Sequence, residues 1–281
     1  MLLGAHESTA GGLYTAFARG AADGCEALQI FTAYNTRWAP RPLDHLEASL
    51  FLSEQAHHQL PLVSHCCYLI NLASPQPQLW RRSVMALVQE LQRCEMLGIA
   101  GAVLHPGAHM GLGETAGLRR VARALSEVHH HTRGFSCRVL LENTAGQGTT
   151  LGHRFEQLAW LLEHTVDGHR LGLCIDTCHA FAAGYELRSP QGLRRTLEQL
   201  DHLVGLERVH AFHLNDALRP RGSRVDRHAH IGEGELGQVP FASLVNDPRL
   251  ARVPGLVETP PEADGSTSFA RNIRRLKALR R

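Results

Sequence analysis

Histidines and carboxylates recur at intervals along the chain, each after a short run of apolar residues. Six of them stand at such positions: His65, His105, Glu142, Asp176, His213 and Glu258. Imidazole nitrogens and carboxylate oxygens are ligands that zinc accepts, and mixed shells of the two leave room for water or a substrate. If these residues meet in space, they form an open metal site.

Two further groups of potential ligands lie close to this series in the sequence. His179 follows Asp176 by three residues, and Asp226 stands two residues before His228. These additions bring the candidates to nine, too many for one zinc ion, which takes about three or four ligands from a protein. With one carboxylate shared between two ions, nine ligands suit a cluster of three.

The segments between the candidate ligands predict the elements that position them. Short runs rich in Val, Leu and Ile predict strands over residues 2–5, 27–31, 61–65, 102–105, 138–142, 170–176, 208–213 and 255–258. Amphipathic segments predict helices over residues 79–97, 115–131, 154–166, 192–203 and 269–279. Strands that alternate with helices predict a parallel sheet. Eight such units favour an α/β protein with one domain, a (β/α)8 TIM barrel over residues 1–281.

This fold places the candidate ligands on one face. In (β/α)8 barrels the catalytic groups lie at the C-terminal ends of the strands and in the loops that follow. Every predicted strand from the third to the eighth ends in a histidine or a carboxylate, which chance does not readily produce. His6 follows the first strand, where it fits either a hydrogen-bond partner that orients a ligand or a structural histidine.

Several segments resemble one known family over nearly the whole chain. They are GAHES near the start, SHCCYLINLAS at 64–74, VLHPGAH at 103–109, LLENTAGQG at 140–148, CIDTCHAFAAGY at 174–185, FHLNDA at 212–217, SRVDRHAHIGEGELG at 223–237 and LVETP at 256–260. Through these motifs the chain is similar to endonuclease IV, the zinc-dependent apurinic/apyrimidinic (AP) endonuclease family of base-excision repair.

The resemblance implies how the nine ligands divide among three zinc ions. The first ion would bind His65, His105 and Glu142. Glu142 would bridge to a second ion, and the other ligands of that ion would be Asp176, His213 and Glu258. The third ion would bind His179, Asp226 and His228. One position could instead hold manganese or iron. The catalytic residues implied are Glu142 and Glu258.

The resemblance also implies the reaction. The family cleaves double-stranded DNA on the 5′ side of an abasic site and leaves a 3′-hydroxyl and a 5′-deoxyribose phosphate. Zinc lowers the pKa of bound water to about 7, which provides a nucleophile at neutral pH. Trimming of blocked 3′ ends is an expected side activity.

Residues that contact DNA are predicted from the same motifs. Tyr68 and Leu69, just after His65, match a wedge that enters the duplex at the lesion. Arg37 lies in FTAYNTRW at 31–38, one position away from the intercalating arginine of the family. Arg227 stands between two candidate ligands and could equally contact a phosphate or remain a solvated surface residue.

Composition narrows the class of protein. The 29 Lys and Arg residues against 27 Asp and Glu give a net charge of +2, so bulk charge alone does not indicate a nucleic-acid-binding protein. The seven cysteines are odd in number and irregularly spaced, which argues against a disulfide framework and for a reducing compartment. No run reaches the roughly 20 apolar residues that a membrane helix needs. We therefore expect a cytoplasmic monomer.

Other interpretations fit these features less well. GEGELG at 232–237 matches the GxGxxG pattern of dinucleotide sites, but it follows a polar loop and carries two glutamates that would repel pyrophosphate. A metal-dependent sugar isomerase or epimerase could share the barrel, but one or two metals would leave the set at 179, 226 and 228 unexplained. A silent metal-binding or DNA-damage-binding protein would have no need of nine intact ligands.

Overall fold

The centre of the molecule is a closed barrel of eight parallel strands, as seen in a computed structural model that describes residues 1–38 and 42–281. Around the barrel the first strand pairs with the second and with the last, and the others follow in chain order. The strands are β1 (Leu2–His6), β2 (Ala27–Ile30), β3 (Leu62–His65), β4 (Gly101–Leu104), β5 (Arg138–Glu142), β6 (Leu171–Asp176), β7 (Val209–His213) and β10 (Pro254–Val257). The predicted (β/α)8 fold is confirmed.

Helices surround the barrel. They are α1 (Thr15–Asp23), α2 (His45–His58), α3 (Pro77–Met96), α4 (Glu114–His131), α5 (Phe155–His164), α6 (Thr177–Ala183), α7 (Pro190–Val204), α8 (Val239–Val245) and α9 (Phe269–Ala278). The five predicted helices correspond to α3, α4, α5, α7 and α9, with ends shifted by one or two residues. The sequence pattern did not predict α2, because Leu46, Leu50 and Leu52 are exposed on it and obscure the apolar period.

The barrel interior is filled by small and branched side chains. A separate cluster of buried side chains takes one residue from each of seven barrel strands: Ala27, Val63, Val103, Leu140, Cys174, Ala211 and Leu256. The alternate residues of the strands face the helices and belong to the main core, which includes Phe17, Phe155, Phe181 and Phe241. Because both faces of each strand are buried, the strands read as nearly continuous apolar runs.

Four predicted strand ends need correction by one residue: β1 ends later than predicted and β2 earlier, and the other two concern candidate ligands. β4 ends at Leu104 and β10 ends at Val257, so His105 and Glu258 each lie one residue beyond their strand. Both side chains still enter the C-terminal face of the barrel, since the first residue of a βα loop continues the direction of its strand.

A two-stranded antiparallel ribbon lies above β7 and is formed by β8 (Asp216–Ala217) and β9 (His228–Ala229). The GEGELG segment wraps round the start of this ribbon. The backbone N–H groups of Gly232, Gly234 and Leu236 donate to the Asp216 carboxylate at 2.9–3.0 Å. The glycine-rich turn thus binds an anionic group of its own chain, which agrees with the exclusion of a dinucleotide site.

All seven cysteines are free thiols. Among the described residues, no helix combines the length and the apolar character needed to cross a membrane.

Candidate metal centre

All nine predicted ligands converge at the C-terminal face of the barrel. Their nitrogen and oxygen atoms form overlapping groups within which every atom lies within 4.8 Å of the others. Three of these groups are His65, His105 and Glu142; Asp176, His213 and Glu258; and His179, Asp226 and His228. Apart from the absence of Glu142 from the second group, they correspond to the three sets that the family resemblance implies. Two further groups overlap them: Glu142, Asp176 and His179, and Asp176, Cys178 and His228.

Glu142 lies at the junction of these sets. Its Oε2 atom lies 3.3 Å from His65 Nε2 and 2.9 Å from His105 Nε2. Its Oε1 atom lies 3.1 Å from His179 Nδ1 and 3.0 Å from His213 Nδ1. The carboxylate is buried, which by itself raises its pKa, but the surrounding imidazoles hold the pKa of Glu142 well below its usual range. An anionic carboxylate at this point contacts histidines from all three sets.

The second set surrounds His213, which is completely buried. Its Nδ1 atom lies 3.2 Å from Glu258 Oε2 and 3.8 Å from Asp176 Oδ2. On the far side of Glu258, His6 Nδ1 lies 2.9 Å from Oε1. Burial opposes ionisation of Glu258, yet the neighbouring histidines hold the pKa of this carboxyl well below its usual range. His6 therefore lies against a candidate ligand, as the first of its two predicted roles requires.

The third set lies nearer to solvent. Asp226 is one-third exposed, and its two oxygens lie 3.2 Å from His179 Nε2 and 3.3 Å from His228 Nε2. His228 Nε2 also lies 3.7 Å from Asp176 Oδ2, which connects this set to the second. Although burial lowers it, the pKa of His228 is raised to about 9 by Asp226 and Asp176. His105, one-third exposed, lies on the open side of the centre.

Local structure explains how the junction of β6 and α6 contributes two candidate ligands. Asp176, the last residue of β6, caps the N-terminus of α6 by accepting a hydrogen bond from the His179 backbone N–H at 2.7 Å. The cap directs the His179 side chain over the same rim. Thr177 Oγ1 donates to the Asn215 carbonyl at 2.7 Å and ties this helix to the chain leaving β7. The DTCH sequence thus starts α6 and also supplies two candidate ligands, Asp176 and His179.

The chemistry of the donor set fits divalent metal ions. Metal-binding histidines are typically held at their second ring nitrogen by a carbonyl or carboxylate. Such contacts occur at His65 Nδ1 with the Cys66 carbonyl at 2.8 Å, and at His179 Nδ1 with the Asn143 carbonyl at 3.0 Å. The Nε2 atom of His228 is buried without a hydrogen bond of good geometry. The three sets together offer four carboxylates and five imidazoles, donors that zinc and related divalent ions accept.

Sequence reasoning missed several buried amides that hold the ligands. Gln29 lies 2.9 Å from His213 Nε2, and its side-chain nitrogen donates to Glu258 Oε1 at 2.7 Å. Asn215 donates to Asp176 Oδ2 at 2.8 Å, and Asn143 accepts from the Asp176 N–H at 2.7 Å. The sequence signal that could have identified them is an asparagine or glutamine within an apolar strand, such as Gln29 in Ala27–Ile30, or directly after a strand.

The predicted DNA-contacting residues are exposed or half-buried. Tyr68 is 54% exposed, and its ring centroid lies 5.3 Å from that of His65. Leu69 beside it is half-buried. Arg227 is exposed and donates to the Asp226 carbonyl at 2.7 Å. Arg37 is exposed and borders a small cavity that His65 also lines.

Comparisons with known proteins agree on one family. A family model described as a xylose isomerase-like TIM barrel matches residues 17–279. A protein named probable endonuclease 4 from Chloroflexus aurantiacus is 50% identical over 262 residues, which are 93% of this chain and 92% of that protein. A crystal structure of endonuclease IV from Thermus thermophilus has a TM-score of 0.86 and 37% identity, with 99% of this chain and 98% of that chain covered.

The barrel itself is shared more widely. A D-tagatose 3-epimerase-like protein has a TM-score of 0.76 at 18% identity, with 99% of this chain and 97% of that chain covered. At that identity the likeness concerns the fold alone. The family model matches most of this chain, and the Chloroflexus protein is 50% identical over 93% of it. The chain therefore belongs to the endonuclease IV family of AP endonucleases.

Proposed function

We propose that this protein is a zinc-dependent DNA-repair endonuclease that hydrolyses the phosphodiester on the 5′ side of abasic sites in duplex DNA. The products would be a 3′-hydroxyl and a 5′-deoxyribose phosphate, as in base-excision repair, with trimming of 3′ ends as a side activity. The observation that carries the proposal is the junction at Glu142, where one carboxylate contacts histidines of three ligand sets. The names of the relatives support the same activity.

The residues would hold three ions, zinc at each position or manganese or iron at one of them. The first set would be His65, His105 and Glu142; the second Glu142, Asp176, His213 and Glu258; the third His179, Asp226 and His228. Zinc bound there supplies Lewis acidity, which lowers the pKa of water and offsets negative charge on phosphate oxygens. A sugar isomerase site with one or two metals would leave part of this donor set without a role.

We assign Glu142 and Glu258 to catalysis, since both carboxylates lie within 3.2 Å of the buried His213 ring and border the open centre. His6 and Gln29 hold Glu258 in position through contacts at 2.9 Å and 2.7 Å. These neighbours limit rotation of the carboxylate, and a fixed group loses less freedom when the substrate binds.

Substrate selection would depend on the rim. Tyr68 and Leu69 project where a duplex would approach the centre, and an aromatic wedge unstacks a damaged site at less cost than an intact base pair. Arg37 and Arg227 would contact backbone phosphates. Because one chain supplies all nine ligands, we infer that the enzyme acts as a monomer; the seven free thiols suit a reducing cytoplasm.

The test is incision of a labelled duplex that carries one abasic site, with zinc-loaded protein. We expect cleavage on the 5′ side of the lesion and none in the matched undamaged duplex. Ketose sugars, as substrates of the fold-related epimerases, should be unchanged in a parallel reaction. Epimerisation without incision would refute the proposed function.

A further inference from the structure

A groove with a volume of about 550 Å³ opens on the same face as the metal centre. One wall is the loop after β1, residues 9–14, and the other runs from Thr32 to Tyr34 and continues on the N-terminal half of α2. Both walls leave the C-terminal ends of barrel strands, as the metal ligands do. The volume lies within the range of about 300–1,000 Å³ that is typical of sites for small molecules.

The walls are aromatic and apolar, with acidic groups at one end. Tyr34 is 46% exposed, Leu46 is 72% exposed and Leu50 is 40% exposed. The carboxylates of Asp44 and Glu47 also line the groove, whereas its described lining residues include no lysine or arginine. Glu47 is buried and already accepts from the Leu13 N–H at 3.0 Å, so the exposed Asp44 is the carboxylate that a ligand could reach. A flat ring with exocyclic amino groups would stack on tyrosine and could donate to a carboxylate.

Tyr34 borders two neighbouring cavities. It borders the groove and also a small neighbouring cavity that Arg37 and His65 line. The Arg37 guanidinium carbon lies 4.5 Å from the Tyr34 ring centroid, a cation–π contact. The ring thus has a cation as one neighbour, and the side chain is still 46% exposed and lines the groove.

The walls are fixed to each other and to the predicted wedge. The Asn35 carbonyl accepts from the Tyr68 N–H at 3.0 Å, and the Leu13 N–H donates to Glu47 Oε1 at 3.0 Å. Thr32 Oγ1 donates to the buried Glu90 carboxylate at 2.9 Å. A ligand in the groove therefore does not have to order its walls, which reduces the entropic cost of binding.

From these observations the structure assigns a second DNA subsite: the groove takes a nucleobase displaced from the duplex near the lesion, stacked on Tyr34. The inference rests on the proposed function, because it requires duplex DNA at the metal centre. It adds a base-binding site, separate from the metal centre, that contributes affinity for damaged DNA.

The experiment uses zinc-loaded protein and a duplex with an abasic analogue whose 5′ linkage cannot be hydrolysed. The affinity of Tyr34→Ala should fall by at least about fivefold, since stacking of one base on an aromatic side chain is a substantial part of single-strand binding. Tyr34→Phe should stay within about twofold of wild type, because the ring is retained. Val166→Ala, a truncation of a 65% exposed residue outside the groove, is the matched control and should have no effect.

A direct readout separates stacking from a purely structural role. The base opposite the analogue and each flanking base are replaced in turn by 5-iodouracil, and irradiation should crosslink one of them to Tyr34. An affinity of Tyr34→Ala within twofold of wild type, or crosslinks confined to other residues, overturns the proposal. The proposed function fails separately, if wild-type protein does not incise a cleavable abasic duplex.

Discussion

Removal of the Glu142 carboxylate is the perturbation that tests the metal centre most directly. The side chain is 1% exposed and lies within 3.3 Å of four imidazole nitrogens. It is the one residue that the family resemblance assigns to two ions. We therefore expect Glu142→Gln, which keeps the volume of the side chain, to lower the zinc content below three ions per chain, because the first ion would keep only His65 and His105.

The loss of incision follows from the loss of the first ion. Removing a single group that stabilises transition-state charge costs about 10²–10³ in rate. Because one cation would leave and the second would lose a ligand, the single-turnover rate on abasic DNA should fall by at least about 10³-fold. Metal content is measured by mass spectrometry, and incision by gel separation of a labelled duplex. Activity of Glu142→Gln within tenfold of wild type would refute the role of this carboxylate.

A stability measurement distinguishes loss of metal from loss of fold. Ligands that bind only the native state stabilise it by about 4 kcal/mol at a thousand times their Kd. Chelation should thus lower the melting temperature of wild type markedly and that of Glu142→Gln much less. Glu163→Gln is the matched control, because its side chain is 79% exposed and lies outside the three sets. It should retain activity, metal content and sensitivity to chelation.

Further expectations concern metal identity, the termini and the rim. Prolonged chelation should abolish incision, and zinc should restore it where magnesium does not; full recovery with magnesium in zinc-free buffer would contradict the zinc assignment. Arg280 holds the pKa of Glu26 at about 2 through its hydrogen bond, so the pair is stabilising above the unfolded value near 4.5 and this contribution is lost as pH falls toward 2. Glu26→Gln should accordingly lower the free energy of unfolding by about 1 kcal/mol at pH 7. In urea titrations the difference from wild type should shrink between pH 5 and pH 2, and a constant difference would exclude the ion pair as its cause. Tyr68→Ala should weaken binding to abasic duplex at least about fivefold and to undamaged duplex less than twofold, as measured by fluorescence anisotropy. Arg227→Ala should reduce the salt dependence of binding by about one unit of slope if this residue contacts a phosphate, and an unchanged slope would place it on the solvated surface instead.

The ligand series could be predicted from the sequence because it follows a simple periodicity. Each βα unit ends its strand at the same face, so a histidine or carboxylate at the end of successive apolar runs marks one rim. That reasoning tolerates small errors: His105 and Glu258 lie one residue beyond β4 and β10, yet they join their predicted sets. The net charge of +2 did not help to locate the site, because a net charge carries no information on the positions of the charged residues.

The supporting contacts could not be predicted in the same way. Gln29 contacts His213 across 184 positions, and His6 contacts Glu258 across 252. Such pairs depend on closure of the barrel, which brings the first strand beside the last. The α2 segment was also missed, since its exposed leucines hide the apolar period, and two of them, Leu46 and Leu50, line a groove instead of the core.

The amino-acid sequence by itself determined the fold class, the family and the nine candidate ligands, because strand periodicity and local motifs depend on residues that are close together in the chain. The tertiary structure alone decided that Glu142 contacts histidines of all three sets, that amides from distant strands hold the ligands, and that Tyr34 borders both the groove and a cavity lined by His65. Those features are distances between residues far apart in the chain, and only the packing of the closed barrel sets them.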